Sequence, residues 1–232
     1  MEQIQIDDSD HKLNERYCPV CTKSSPRFRP FGVIPREDAQ CIQCGALERH
    51  RLLWLFLHNN TDLFNGKPGK MLHVAPEPWF EKKFRELLSD NYLTADLFDP
   101  RAMIKMDISN IQYPDNSFDI IYCSHVLEHV LDDRKAMREF YRTLNTDGWA
   151  ILNVPISGEK TFEDPSIVSP EERLKAFGQE DHVRIYGTDY IDRLRESGFT
   201  VKLFKASDLA SESDIVRMAL TQASGEIYYC TK

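Results

Sequence analysis

The chain has 232 residues, 41% of them hydrophobic and 28% charged, with a formal net charge of -8. That balance suits a globular protein of one moderate domain plus a small appendage, and it excludes a generally basic face that would hold nucleic acid by charge alone. No run approaches the ~18 apolar residues of a membrane span, and the start, Met1-Glu2-Gln3-Ile4, lacks the regions of a signal peptide, so a cytoplasmic protein without membrane partners is expected.

Residues 1–15 (MEQIQIDDSDHKLNE) are polar and acidic with little to bury, and read as a flexible N-terminus. Residues 16–58 form the appendage, in which two cysteine pairs precede a connecting helix, ALERHRLLWLFLH, polar at its start and apolar at its end. From residue 66 to 232 strands and helices alternate. KMLHVA is a strand, and EPWFEKKFRELLSD a helix with Phe80, Phe84, Leu87 and Leu88 on one face. NYLTADL and the short IKMDIS are strands, and FDIIYCS is an apolar run typical of a strand buried on both faces. HVLEHV leads into a helix over DDRKAMREFYRTL that is expected to stop at Asp147-Gly148, and WAILNVP is the fifth strand. An irregular insert covers 156–188. Within it Ser169-Pro170-Glu171-Glu172 is a capping box for a short helix running toward Gly178. TDYIDRLRESGF is a helix, and FTVKLFKA and GEIYYCTK are the last strands. The alternation predicts an α/β fold, a Rossmann-like, mostly parallel seven-stranded sheet with helices on both faces, whose ligand lies beyond the carboxyl ends of the strands.

The strongest local signal is Cys18-Pro19-Val20-Cys21 with Cys41-Ile42-Gln43-Cys44, two CxxC pairs separated by nineteen residues. Four thiolates at that spacing satisfy a tetrahedral zinc ion with no open position, so a structural zinc-ribbon site is expected, against two disulfides or four buried thiols. Cys123 and Cys230 fall on predicted strands and read as core.

Two weaker signals lie at strand ends. Asp96 closes the second strand, where a carboxylate can accept ribose hydroxyl protons, although a solvated aspartate would look the same. Asp107 follows the third strand, where an acidic group can take an adenine amino group with apolar Ile108 against the ring. Their order strengthens them. The run DISNIQYPDNSFDIIYCSHVLEHVLDDRKAMREFYRTLNTDGWAILNVP resembles class I S-adenosylmethionine-dependent methyltransferases of the small-molecule type (type 11-like), over about residues 70 to 155. GALERHR behind a zinc knuckle, together with FGQEDHVRIYG, is similar to a bacterial group of such chains. The resemblance implies S-adenosyl-L-methionine as cofactor, with Asp96, Asp107, Ile108 and Ser124 among its contacts.

The family's first motif is an acidic residue, an apolar one, then alternating glycines. Here His73 stands in the acidic slot, Ala75 in that of the first glycine and Glu77 in that of the second, with Pro76 between them. Proline fixes φ and removes a donor, so this turn is expected to be stiff and to meet the cofactor differently, with Glu77 offering charge to its amino or sulfonium group.

His125 and His129 flank Glu128 just beyond the fourth strand. As metal ligands those three are poorly spaced, and the turn typical of the family accounts for them. His125 is expected to position substrate or act as a base, and His182, in the insert that should roof the pocket as a lid, to touch substrate. Arg49, His50 and Arg51 could grip RNA, or Glu48, Arg49 and Arg51 could form an ion-pair network between knuckle and domain; the acidic charge and the lack of aromatic-basic interleaving favour the network. The expected function is methyl transfer to a small-molecule or glycan-like acceptor. The alternatives are an RNA methyltransferase and a non-catalytic binding module on the same fold.

Overall fold

The computed structural model describes residues 15–32, 34–65 and 69–232; the flexible N-terminus expected over 1–15 falls, but for Glu15, outside them. In chain order the elements are β1 (Arg16–Cys18), β2 (Lys23–Ser25), β3 (Arg29–Phe31), β4 (Arg36–Gln40), α1 (Glu48–Asn60), β5 (Met71–Val74), α2 (Pro78–Leu88), β6 (Tyr92–Asp96) and β7 (Ile104–Lys105). Then come β8 (Phe118–Ser124), α3 (Asp133–Thr143), β9 (Leu144–Asn153), β10 (Phe162–Glu163), α4 (Pro170–Phe177), β11 (Arg184–Ile185), α5 (Tyr190–Glu196), β12 (Thr200–Phe204), α6 (Ala206–Leu209), α7 (Glu212–Arg217) and β13 (Ile227–Thr231).

The chain divides into two compact units. One contains the described residues before Gly69, with Pro78–Lys83 and Phe204–Ile227. Its small sheets are antiparallel pairs, β1 with β2 and β3 with β4. α1 is buried from its first turn, not only at its apolar end: Glu48, His50 and Arg51 are all inside. Arg51 is wholly enclosed and donates to the carbonyls of Ala39 and Ala46, both at 2.9 Å, and of Met218 at 2.6 Å and Ala219 at 3.2 Å. Glu48 accepts two bonds from Arg36, and His50 Nδ1 accepts from the Leu47 amide at 3.0 Å. The GALERHR segment is thus an internal strut. Its buried arginine is satisfied by carbonyls, whose hydrogen bonds offset part of the cost of taking a guanidinium out of water.

The other unit contains Gly69–Glu77, Phe84–Leu203 and Tyr228–Lys232. The seven-stranded sheet runs β12-β13-β9-β8-β5-β6-β7. Strands β9, β8, β5, β6 and β7 are parallel and β13 inserts antiparallel to β9. Connections leave β5 toward β6 and β7 on one side, while β8 and β9 lie on the other, so the topological switch point is between β5 and β8. Leu72, Val74, Ile121, Cys123, Phe140, Leu152 and Tyr190 belong to the core, and Cys230 joins them.

Some sequence expectations give way. α3 ends at Thr143, and Gly148 lies inside β9 rather than at a helix terminus. A Cβ at Gly148 would stand 2.7 Å from the Asp119 carbonyl oxygen, at the point where the β8–β9 register shifts. Glycine is there for close backbone approach across a bulge, not for a cap. Leu87 is exposed; the buried face of α2 is Phe80, Phe84 and Leu88, four residues apart. β7 keeps two of the six residues expected of it. The short helix within the insert forms as read: Ser169 and Glu172 make the capping box, and Gly178 ends α4 at φ +84°.

Candidate functional site

The turn after β5 departs from the expected stiffness in one respect. Ala75 has φ +47°, the left-handed conformation that glycine adopts freely, and its amide donates to the Ala95 carbonyl at 2.8 Å. The backbone shape of a glycine turn survives with a methyl on it, at a cost on the order of 1 kcal/mol. Glu77 precedes α2, but its carboxylate does not cap the helix; it accepts from the Tyr122 hydroxyl at 2.8 Å. Pro76 and Glu77 are half-buried.

His73 sits differently from the position expected of it. It is 0% exposed, inside the sheet layer, with Nδ1 2.7 Å from the Tyr92 hydroxyl and its ring against Tyr122 and Phe84. Its Nε2 has no partner. Burial lowers its pKa to about 3 against the opposing pull of Glu77, so the imidazole is neutral. An enclosed neutral ring supports the turn from beneath, through Tyr122 and Glu77, rather than presenting a group at the surface.

At the end of β6 Asp96 Oδ1 accepts the amides of Phe98 and Asp99, at 2.7 and 2.8 Å. These bonds fix the carboxylate and leave Oδ2 outside them. Asp107 is exposed, with Oδ1 bound by the amide and hydroxyl of Ser109. Ile108 is 5% exposed and turns into the core. Ser124 is buried at the end of β8.

The next residue, His125, has φ +56° and donates its amide to the Asn153 carbonyl at 2.9 Å. Two adjacent central strands therefore each end in a non-glycine residue held in the left-handed region, a pattern of backbone strain that gathers at functional sites. His125 Nδ1 is 3.5 Å from Glu128 Oε1. Glu128 is buried, and its Oε2 has no hydrogen-bond partner. His129 Nδ1 lies 3.1 Å from Asp181 Oδ2, and its ring meets the edge of His182 at 4.6 Å between centroids. Burial, and then the neighbouring His129, lower the pKa of His182. The two histidines singled out from sequence thus share one cluster. Glu128 and His129 complete it, and their family-typical turn had hidden them.

The insert is anchored there by buried charge. Arg184 donates to the Leu127 carbonyl at 2.7 Å and to Glu163 at 2.9 Å; Arg193 reaches Asp133 at 3.0 Å and Glu163 at 2.9 Å. The Tyr186 hydroxyl donates to Asp133 at 2.7 Å. Burial alone would raise the Glu163 carboxyl, but hydrogen bonds from Arg193 and Arg184 hold it at about 2. A cavity of about 300 Å³ lies beside this network, lined in part by Leu131, Asp133, Val168 and Arg184, and does not include the ends of β5 and β6.

Cys18, Cys21, Cys41 and Cys44 bring their sulfurs within 4.8 Å of one another. Cys18 and Cys44 Sγ are 3.6 Å apart, Cys21 and Cys41 Sγ 3.8 Å, and all four thiols are free of disulfides. A tetrahedron with Zn–S of about 2.3 Å has edges of roughly 3.8 Å, so the cluster fits that ion.

A family model described as a methyltransferase domain matches residues 77–152. The chain is 36% identical over 75 residues to the uncharacterized methyltransferase YcgJ of Bacillus subtilis, covering 32% of this chain and 28% of that one. It is 33% identical over 95 residues to phosphoethanolamine N-methyltransferase 1 of Arabidopsis thaliana, covering 40% and 18%. The chain therefore spans less than a third of these curated relatives. A solved S-adenosylmethionine dependent methyltransferase from Mesorhizobium loti superposes with a TM-score of 0.51 at 18% identity, over 78% of this chain and 98% of the other. The sheet order and that superposition agree on the fold, a Rossmann-like architecture like that of the solved methyltransferase, and residues 77–152 are similar to a methyltransferase domain.

Proposed function

We propose that the chain is an S-adenosylmethionine-dependent methyltransferase acting on a small-molecule or glycan-like acceptor, with a structural zinc ion held by Cys18, Cys21, Cys41 and Cys44. The observation that carries the reading is the pair of carboxylates, Glu77 and Asp96, each fixed by protein donors at the ends of adjacent strands beside the switch point. When bound, S-adenosylmethionine supplies an electrophilic methyl group on a sulfonium. Asp96 has Oδ2 to accept from ribose hydroxyls, and Glu77 places negative charge at the turn for the ammonium or the sulfonium. Asp107 serves the adenine amino group. His125 orients the acceptor or takes its proton, and the insert over 156–188, with His182, closes over it to exclude water.

Two facts support a small acceptor over RNA. Arg51 and His50, two of the three residues that could have gripped a nucleic acid, are buried inside their own unit and Arg49 is half-buried, and one matched relative is a phosphoethanolamine methyltransferase. Calorimetric titration with S-adenosylhomocysteine tests the reading. Saturable binding is expected, weakened by about 1.5–3 kcal/mol in Asp96→Ala, the scale of a lost hydrogen bond to a charged group. Folded protein that does not bind it would instead be a non-catalytic module.

A further inference from the structure

The cluster beyond β8 has one feature that methyl transfer alone leaves without a role. Glu128 is 2% exposed, yet its Oε2 has no partner, and Oε1 finds only His125 Nδ1 at a long 3.5 Å. A carboxylate taken out of water and left half-satisfied is costly, and proteins resolve such groups with hydrogen bonds, a counter-charge or a metal. Ligand atoms of Glu128, His129 and His182 all lie within 4.8 Å of one another.

The fold gathers them from segments more than fifty residues apart. The Val183 amide donates to the Glu128 carbonyl at 2.9 Å, and Arg184 clamps the Leu127 carbonyl on the same turn. His129 Nδ1 lies 3.1 Å from Asp181 Oδ2, a carboxylate contact of the kind that orients a ligating histidine and sets its tautomer. His182 is 7% exposed, so its ring is confined beside that of His129.

We propose that Glu128, His129 and His182 hold a divalent first-row transition-metal ion. Two imidazoles and a carboxylate select such ions over Mg²⁺ or Ca²⁺, which take oxygen ligands. Three protein ligands leave coordination positions open, the mark of a site that takes substrate rather than one that staples a fold. Resting on the methyltransferase reading, the ion then specifies the acceptor as a hydroxyl. Coordination of that hydroxyl favours loss of its proton, to His125 or to solvent. The oxygen's electron pair forms the new bond to the methyl carbon as the carbon–sulfur bond breaks, its pair staying on sulfur.

The test titrates the full chain, its cysteine site already filled with zinc, with Co²⁺ in the absence of any adenosyl ligand. The expected result is one further equivalent bound, with ligand-field absorption and no thiolate-to-cobalt charge-transfer band. His182→Ala and Glu128→Gln are expected to weaken that binding by at least about tenfold while zinc content and melting curve are retained. Asp181→Asn, at a side chain 69% exposed and so safe for the fold, is expected to weaken it by about tenfold as well. Wild-type protein that takes up no second ion, or variants that bind it as well as wild type, would overturn the proposal. Failure of S-adenosylhomocysteine to bind would leave this titration unchanged, so the two readings fall separately.

Discussion

Ala75 and His73 show how single side chains carry a turn that has lost its glycines. Ala75 sits at φ +47°, tolerable for alanine and glycine but not for a β-branched residue. Ala75→Gly is therefore expected to change stability by no more than about 1 kcal/mol, because relieved strain offsets the entropy of a more flexible unfolded chain. Ala75→Val is expected to destabilise by about 1–3 kcal/mol, although the site is only half-buried. Denaturant melts of the two variants distinguish backbone strain from simple crowding. His73 makes a pH prediction. Its folded pKa is lowered by burial from 6.5 to about 3. Between those values the unfolded chain binds a proton that the folded chain refuses, so stability falls as pH drops from 6.5 toward 3, by up to ~1.4 kcal/mol per pH unit. Unfolding curves between pH 7 and pH 4 check this, and His73→Gln should flatten the slope.

At the scale of elements, the insert is held by charge as much as by apolar contact. Asp133 lies between Arg193, the Tyr186 hydroxyl and, at 3.7 Å, Arg184. Removing it strands buried guanidinium charge, so Asp133→Ala is expected to cost about 3–5 kcal/mol. Proteolysis within 156–188 should quicken in the same variant. The control is Asp192→Ala, whose pairing with Arg195 is exposed and 3.4 Å long, and whose cost should stay below about 1 kcal/mol. The short helix of this insert was legible from Ser169, Pro170, Glu172 and Gly178, since capping is decided within a few residues. Gly148 was not. A glycine demanded by a facing strand looks the same in sequence as one that ends a helix, and only the β8–β9 register separates them.

For the molecule as a whole, the two compact units do not follow the chain in two consecutive stretches, because Phe204–Ile227 groups with the described residues before Gly69. Arg51, through the carbonyls of Met218 and Ala219, is one physical link within that unit. If the four cysteines hold zinc as proposed, the ion contributes folding free energy directly. A strong chelator is then expected to release one zinc per chain and to lower the unfolding temperature, and zinc added back should restore it. Metal analysis beside the melting curve reads both. Among the described residues no helix is long and apolar enough to cross a membrane.

Much of this was readable from sequence because its cause is local. Strand and helix alternation appears as periods of 2 and 3.6, the cysteine pairs as a spacing, and Asp96 as an acidic residue closing a strand. Which polar residues lie inside was not readable. His73, Arg51 and Glu128 have the composition of surface groups, and their burial depends on Tyr92, on the carbonyls of 218–219 and on the 181–184 segment respectively. Those partners stand 19 to more than 160 residues away. Only tertiary structure decides such pairings, because a side chain's environment is set by what the fold brings beside it, and no local period records that.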